Sequence, residues 1–241
     1  MSVEPGAIVT LMLRLLAVVA VATLLVGCSQ PPEEPTTTTT TLPGAGTPDG
    51  ALRDLLSAVV VGDYSRASEV TDSEQVALLI ALDGATLSEA TAMLEDGIPE
   101  ASLAAFWASF QDTYGRSVRE ELDDMLVAEG RTVTVDGVEF ANIEVALRKG
   151  RGLARWIAYR DGSGRWRVDL FATFGPTVAL PMRLWLATLP DDQDVRVVRS
   201  AIADQRPSLL AALQQQPLGP ISPGVAEQIR GLLVDVGATA P

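Results

Sequence analysis

Chemistry in this chain is bounded first by what it lacks. Its 241 residues include no histidine, one cysteine (Cys28) and one lysine (Lys149). Imidazole ligation of a metal, a Ser-His-Asp relay and a disulfide within the chain are therefore excluded. Lys149 stands in the turn-forming run Lys149-Gly150-Arg151-Gly152, where solvent keeps an ammonium protonated and a poor nucleophile. What remains is carboxylate chemistry. Two of the 31 Asp and Glu residues could converge as an acid–base pair, because sequence spacing does not reveal such convergence. Asp191-Asp192-Gln193-Asp194 has the acids of a calcium loop without its glycine or distal glutamate, and its place after Pro190 suits helix capping. Asp123-Asp124 reads as a solvated helix face. No metal site and no cofactor are expected. The candidate ligand-binding residues are Trp107, Trp156 and Trp166, the last two on neighbouring strands beside arginines. They could line a pocket or fill the core with cation–π contacts at its rim.

Cys28 belongs to a different chemistry. The apolar run Leu15 to Val26 is too short for a bilayer, which needs roughly 20 residues, but suits the central region of a signal peptide. It leads into Leu25-Val26-Gly27-Cys28, which resembles the lipobox of bacterial lipoproteins. That resemblance implies cleavage before Cys28, diacylglyceryl transfer to its thiol, and attachment to the extracytoplasmic side of the cell membrane. The segment before the run holds Glu4 and, as its only basic side chain, Arg14; a start at Met12 would restore a basic n-region. Residues 28–48, with Pro31-Pro32, Pro35 and six threonines from Thr36 to Thr41, read as an extended stalk without a burial face.

The net charge of −13 is unevenly distributed. Ala51 to Glu129 holds 16 acids and 4 bases, whereas Gly130 to Phe171 holds 5 acids and 8 bases. Arg148, Lys149, Arg151, Arg155, Arg165 and Arg167 are either a patch for anionic headgroups or wall polymers, or outer-face residues paired with the acidic helices. The pairing is the expectation here. An acidic, exported chain is not expected to bind nucleic acid.

The elements that must carry these residues follow from periodicity and caps. Thr47-Pro48-Asp49 opens a helix whose apolar face is Leu52, Leu55, Leu56, Val59 and Val60, ending at Gly62-Asp63. Shorter helices follow over Tyr64 to Val70 and Glu74 to Leu82, and Thr86-Leu87-Ser88-Glu89 is a capping box for another. Pro99 opens an aromatic helix with Leu103, Phe106, Trp107, Phe110 and Tyr114 on one face, and Val118 to Ala128 reads as an acidic amphipathic helix ending at Gly130. The period then changes to that of strands. Asp136-Gly137 sets a type I′ hairpin between Thr132–Val135 and Val138–Leu147, with a bulge expected near Ala141-Asn142 where the apolar parity switches. Strands are expected at Leu153 to Arg160 and Arg165 to Phe171, the latter with Trp166, Val168 and Leu170 inward and Arg165, Arg167 and Asp169 wet. Helical pieces Pro181 to Leu189, Asp191 to Gln205, Pro207 to Gln215 and Pro223 to Val236 close the chain.

The expected fold is α+β: N-terminal helices, a four-strand antiparallel meander curved around the aromatic helix, and a helical extension over residues 175–241. Over residues 49–174 this order resembles the NTF2-like (cystatin-like α+β) superfamily. The likeness rests on Val61-Gly62-Asp63-Tyr64, the Phe106-Trp107 helix and the hairpin Asp161-Gly162-Ser163-Gly164-Arg165-Trp166-Arg167-Val168-Asp169. Extra helices between residues 74 and 96 and the C-terminal extension depart from it. NTF2-like enzymes often pair His with Asp. This chain has no His; a Tyr with Asp pair from Tyr64, Tyr114 or Tyr159 stays open. The expected function is a non-enzymatic, membrane-tethered binding or accessory domain, the alternative a carrier of a lipid or other apolar molecule, and behind both a small enzyme. Expected partners are the membrane through the anchor, and another cell-envelope protein or an apolar ligand.

Overall fold

A computed structural model describes residues 44–115, 125–147, 153–190, 193–215 and 221–238. The signal segment, Cys28, most of the stalk, Asp123-Asp124, Arg148, Lys149, Arg151 and Asp191-Asp192 lie outside the described residues. The architecture is α+β. Helix α1 (Pro48–Val61) starts where Thr47 accepts the Gly50 N–H at 3.2 Å and stops where Gly62, at φ +77°, returns its N–H to the last turn. Then come α2 (Tyr64–Glu69), α3 (Ser73–Leu82), α4 (Leu87–Glu95) and α5 (Glu100–Phe110), which widens into a π-turn over Gln111–Gly115. Asp63 and Asp72 cap α2 and α3, and the Thr86–Glu89 capping box opens α4.

The sheet is a meander of β1 (Met125–Val135), β2 (Val138–Leu147), β3 (Leu153–Arg160) and β4 (Trp166–Val168), antiparallel throughout and in that order. Asp136 (φ +50°) and Gly137 (φ +82°) form the tight turn between β1 and β2. Helices α6 (Leu170–Leu186), α7 (Gln193–Asp204), α8 (Arg206–Gln215) and α9 (Pro223–Asp235) complete the chain. Among the described residues no helix is long and apolar enough to cross a membrane.

Several expectations need correction. The end of the anticipated acidic helix, Met125 to Ala128, is strand, because Val127 pairs with Val145 and packs into the core. The bulge lies on β1: Gly130 and Arg131 together oppose Asn142, while the β2–β3 register runs without a break. Gly130 is needed there, since a Cβ would lie 3.1 Å from the Asn142 carbonyl oxygen. The parity switch in β2 has another cause. Phe140 is buried on one face of the sheet and Ile143 and Val145 on the other, each against a different core.

The last expected strand stops at Val168, and Leu170 and Phe171 open α6, whose cap is Asp169. Asp169 is accordingly buried, not wet. Residue 174, where the α+β part was expected to end, lies inside this helix, and Pro181 continues it instead of opening a new one. At the other end, Gly44 and Ala45 already belong to the body: Ala45 exchanges backbone hydrogen bonds of 2.8 and 2.9 Å with Trp166 at the β4 edge.

Two cores result. One lies between the sheet and helices α1, α2 and α5, and holds Leu52, Leu55, Trp107, Ile143, Trp156, Trp166 and Val168. The helix laid across all four strands is α1; the aromatic helix α5 packs on α1, α2 and α3. The other core joins α3 and α4 to α6–α9 and to the hairpin end of the opposite sheet face, through Val135, Phe140 and Ile157.

Candidate functional site

The described residues hold an apolar cleft of about 690 Å³ between α3, α4, α5 and α6. Its floor is the second half of α3 (Leu79, Ile80, Leu82), one wall is α4 with the Asp96–Pro99 turn, and the facing walls are α5 (Ala105, Phe106, Phe110) and the first half of α6 (Leu170, Phe174, Val178).

Each wall is held in place by contacts behind it. On α5, Trp107 is fully buried and donates its indole N–H to Ser68 Oγ at 3.0 Å. Gln111 donates to the Val60 carbonyl at 3.1 Å and accepts from Tyr64 Oη at 3.1 Å, tying the end of α5 to α1 and α2. A string of edge-on rings then crosses the molecule, Trp107 to Phe110 (5.5 Å between centroids), Phe110 to Trp156 (6.4 Å) and Trp156 to Phe174 (5.4 Å). The string joins α5 through β3 to α6. Phe106, Phe110 and Phe174 show a surface to the cleft, and the tryptophans stand behind them.

The α6 wall is fixed by a buried polar node. Gln75 of α3 accepts the Leu170 and Phe171 N–H groups at 2.7 and 3.2 Å, and donates to Asp169 Oδ1 (3.1 Å) and Gln205 Oε1 (2.8 Å). Asp169 also accepts from Ala172 N–H (2.7 Å) and Ser208 Oγ (2.6 Å). Loss of water pushes the Asp169 carboxyl up to about 6 despite these donors. Half-buried Glu74 rises to about 7, from desolvation first and then the nearby Asp72 and Asp204 carboxylates, opposed by the bond from Gln205. Tyr159 is pushed above its ordinary phenol value by burial and by Asp72, to which it donates at 3.1 Å. The node carries perturbed acids, but its donors and acceptors are spent on one another and on helix ends, so its work is to set α6 against α3 and α8.

The mouth of the cleft is acidic. Asp83, Glu89 and Asp96 border it, and among the described residues no Lys or Arg does. Three of its walls come from residues 67–115, a stretch with nine Asp or Glu and no Lys or Arg. Partial desolvation raises Asp83, whereas hydrogen bonds from the Thr86 N–H and hydroxyl hold Glu89 below the usual carboxylate range.

No family model, curated protein or solved structure matches this chain. Function must therefore be argued from the residues themselves.

Trp107, Trp156 and Trp166 are all buried in the sheet-side core, and none lines the cleft. Trp166 is covered by Ala45 of the chain's own lead-in segment. Sequence reasoning placed Phe106 and Phe110 on the aromatic face without showing that both also border the cleft, and gave no element to Phe174, which lies between the last expected strand and the helical piece from Pro181. The three described arginines of the expected patch engage neighbours of the sheet and the lead-in segment, and not the acidic helices. Arg155 meets Glu144 at 3.3 Å, Arg167 meets Asp161 at 2.9 Å, and Arg165 donates to the Gly44 carbonyl at 2.7 Å. Burial alone would raise Asp161, but bonds from Ser163, Arg165 and Arg167 outweigh it and hold the group low. Tyr64 and Tyr159 are committed to Gln111 and Asp72, and the side chain of Tyr114 lies outside the described residues. Among the described residues, no three His, Cys, Asp or Glu side chains are grouped to hold a metal ion.

Proposed function

We propose that this chain is an exported, lipid-anchored, non-enzymatic binding protein that holds an apolar small molecule in the cleft between α3, α4, α5 and α6. The observation that carries the reading is the cleft. Its 690 Å³ falls within the range of roughly 300–1,000 Å³ typical of small-molecule sites, and its walls are aliphatic and aromatic with few hydroxyls. The strongly perturbed carboxyls, Asp169 and Glu74, belong to the buried node and do not border the cleft, which favours binding over acid–base chemistry. The order of helices and meander, with α1 across the sheet, supports relating residues 49–174 to NTF2-like domains, as a proposal of kinship in fold. On this reading Leu25-Val26-Gly27-Cys28 directs acylation of Cys28, and the threonine-rich stalk holds the body off the outer face of the cell membrane.

Two experiments test the two halves. Labelled palmitate should enter the full-length protein in a bacterial host and fail to enter Cys28→Ala, which should leave the membrane fraction; unlabelled wild-type protein would end the anchor reading. For the cleft, the chain from Ser29 onward retains both cores whole. The neutral fluorophore N-phenyl-1-naphthylamine should bind it and be excluded by Ala105→Trp, an exposed wall position where an indole fills the space. Equal binding to both proteins would place the probe elsewhere.

A further inference from the structure

We infer that the cleft selects amphipathic cations, molecules with an apolar body and one ammonium or guanidinium group, over anionic amphiphiles of the same length. The inference rests on the cleft reading above and adds the sign of the ligand's polar end.

Three observations carry it. The interior is apolar, so the body of a ligand gains from burial there whatever its charge. The polar groups at the mouth have one sign: Asp83 closes α3, Asp96 closes α4, and Glu89 is fixed by its capping bonds to Thr86. Among the described residues, no base answers them from any wall. The lining part of α6, Leu170 to Pro181, is uncharged, and Arg183 beyond it is engaged by Asp235 at 2.7 Å and Gln228 at 2.8 Å on α9. Arg155, Arg160 and Arg167 of the sheet are turned to Glu144, Glu139 and Asp161. An anionic head entering this mouth meets uncompensated repulsion, whereas a cation meets carboxylates, of which Asp83 has already lost part of its water. The volume suits a small amphiphile and not a protein surface, which would need roughly 800 Å² per partner.

The test uses the chain from Ser29 onward loaded with N-phenyl-1-naphthylamine, displaced by dodecyltrimethylammonium or dodecyl sulfate below their micelle concentrations. The cation should displace the probe at a concentration roughly tenfold lower than the anion, since one close charge pair at intermediate dielectric supplies at least that factor. The preference should shrink in high salt. In Asp83→Asn/Asp96→Asn, with displacement referred to that variant's own affinity for the neutral probe, the preference should fall to within about twofold. Equal displacement by both detergents in wild type, or a preference that survives the double substitution, overturns the inference and leaves the cleft reading standing. Failure of the neutral probe to bind would instead remove the cleft reading, and this inference with it. Displacement by a basic amphipathic peptide and not by the ammonium detergent would reassign the mouth to a polypeptide partner and overturn the small-molecule claim.

Discussion

The two cores of this molecule differ in their largest side chains, and the cleft lies where they meet, with Phe110 and Leu170 of one core and Met93 of the other on its walls. Between the sheet and α1, α2 and α5, large rings interlock: Trp107, Trp156, Trp166 and Phe110 are each less than a tenth exposed. Between the helices no tryptophan is buried, and Leu, Ile, Val and Met interleave with alanines, among them Ala77, Ala81, Ala90, Ala172, Ala179, Ala211 and Ala212. Small residues let backbones approach: a Cβ at Gly175 of α6 would stand 3.2 Å from Ala212 of α8. Because α6 is drawn onto α8 and α9 while α5 is drawn onto α1 and α2, the two helices diverge over α3 and leave the space that forms the cleft. Aromatic filling holds α5 to the sheet side, and close helix contact draws α6 the other way, which opens the cleft between them.

That contrast is broken or sharpened most strongly at Trp107. Trp107→Ala removes a fully buried indole and leaves Ser68 without its donor, so a loss of about 3–5 kcal/mol is expected in urea denaturation. Phe174→Ala, half-buried on the cleft wall, should cost clearly less. Equal losses would mean that the cleft wall is packed as tightly as the sheet side.

The next effect belongs to the node. Gln75→Leu keeps the volume but strips the acceptor from two buried N–H groups of α6 and a donor from Asp169, and about 2–3 kcal/mol should be lost. The same node makes stability depend on pH. Asp169 and Glu74 are raised, to about 6 and about 7, so the native state holds their protons more tightly than the unfolded chain. Their contribution is complete below the ordinary carboxylate range and is lost as pH rises through 6 to 7, on the order of 2–3 kcal/mol for buried Asp169. The protein should therefore melt higher at pH 5 than at pH 8. Asp169→Asn, permanently neutral, should flatten the part of that slope near pH 6 and leave the part due to Glu74. A slope unchanged by Asp169→Asn would show that Asp169 keeps its charge across this range. Below the usual carboxylate range the trend reverses, because Asp161, held low by its hydrogen bonds and Arg167, then loses its pairing.

The difference between the cores also explains what could be read in advance. Caps and turns are local: Thr47 with Pro48, the Thr86–Glu89 box and Asp136-Gly137 act within four residues, and each stands where its chemistry placed it. The start of α6 was illegible because Trp166, Val168 and Leu170 keep strand alternation to the end, while the partner that turns Leu170 into a helix start is Gln75, far away in sequence. The β1 bulge was assigned to β2 for a similar reason, since only the second core shows why Phe140 and Ile143 can both be inward. The tryptophans were ligand candidates with core filling the stronger expectation, and all three are buried in the core, since rings large enough to bind a ligand are equally good at filling one. The cleft has no local signature, because it is a gap between helices whose spacing is set by contacts on their far sides.

One smaller effect sharpens the comparison furthest. A vacant site shows itself by what it gains on occupation, and the gain is fixed by mass action alone. At ten times its dissociation constant a ligand that binds only the folded state adds about 1.4 kcal/mol. N-phenyl-1-naphthylamine at that level should raise the melting temperature of wild type by a few degrees, as expected for a chain of this size. Ala105→Trp, whose exposed site costs the fold little, should melt near the wild-type temperature without probe and show no rise with it. Trp107→Phe, altered behind the wall and not on it, should start lower and still show the rise. If the probe stabilised Ala105→Trp as much as wild type, the occupied space would have to be sought away from α5, and the reading of the gap between α5 and α6 as the binding cleft would fail.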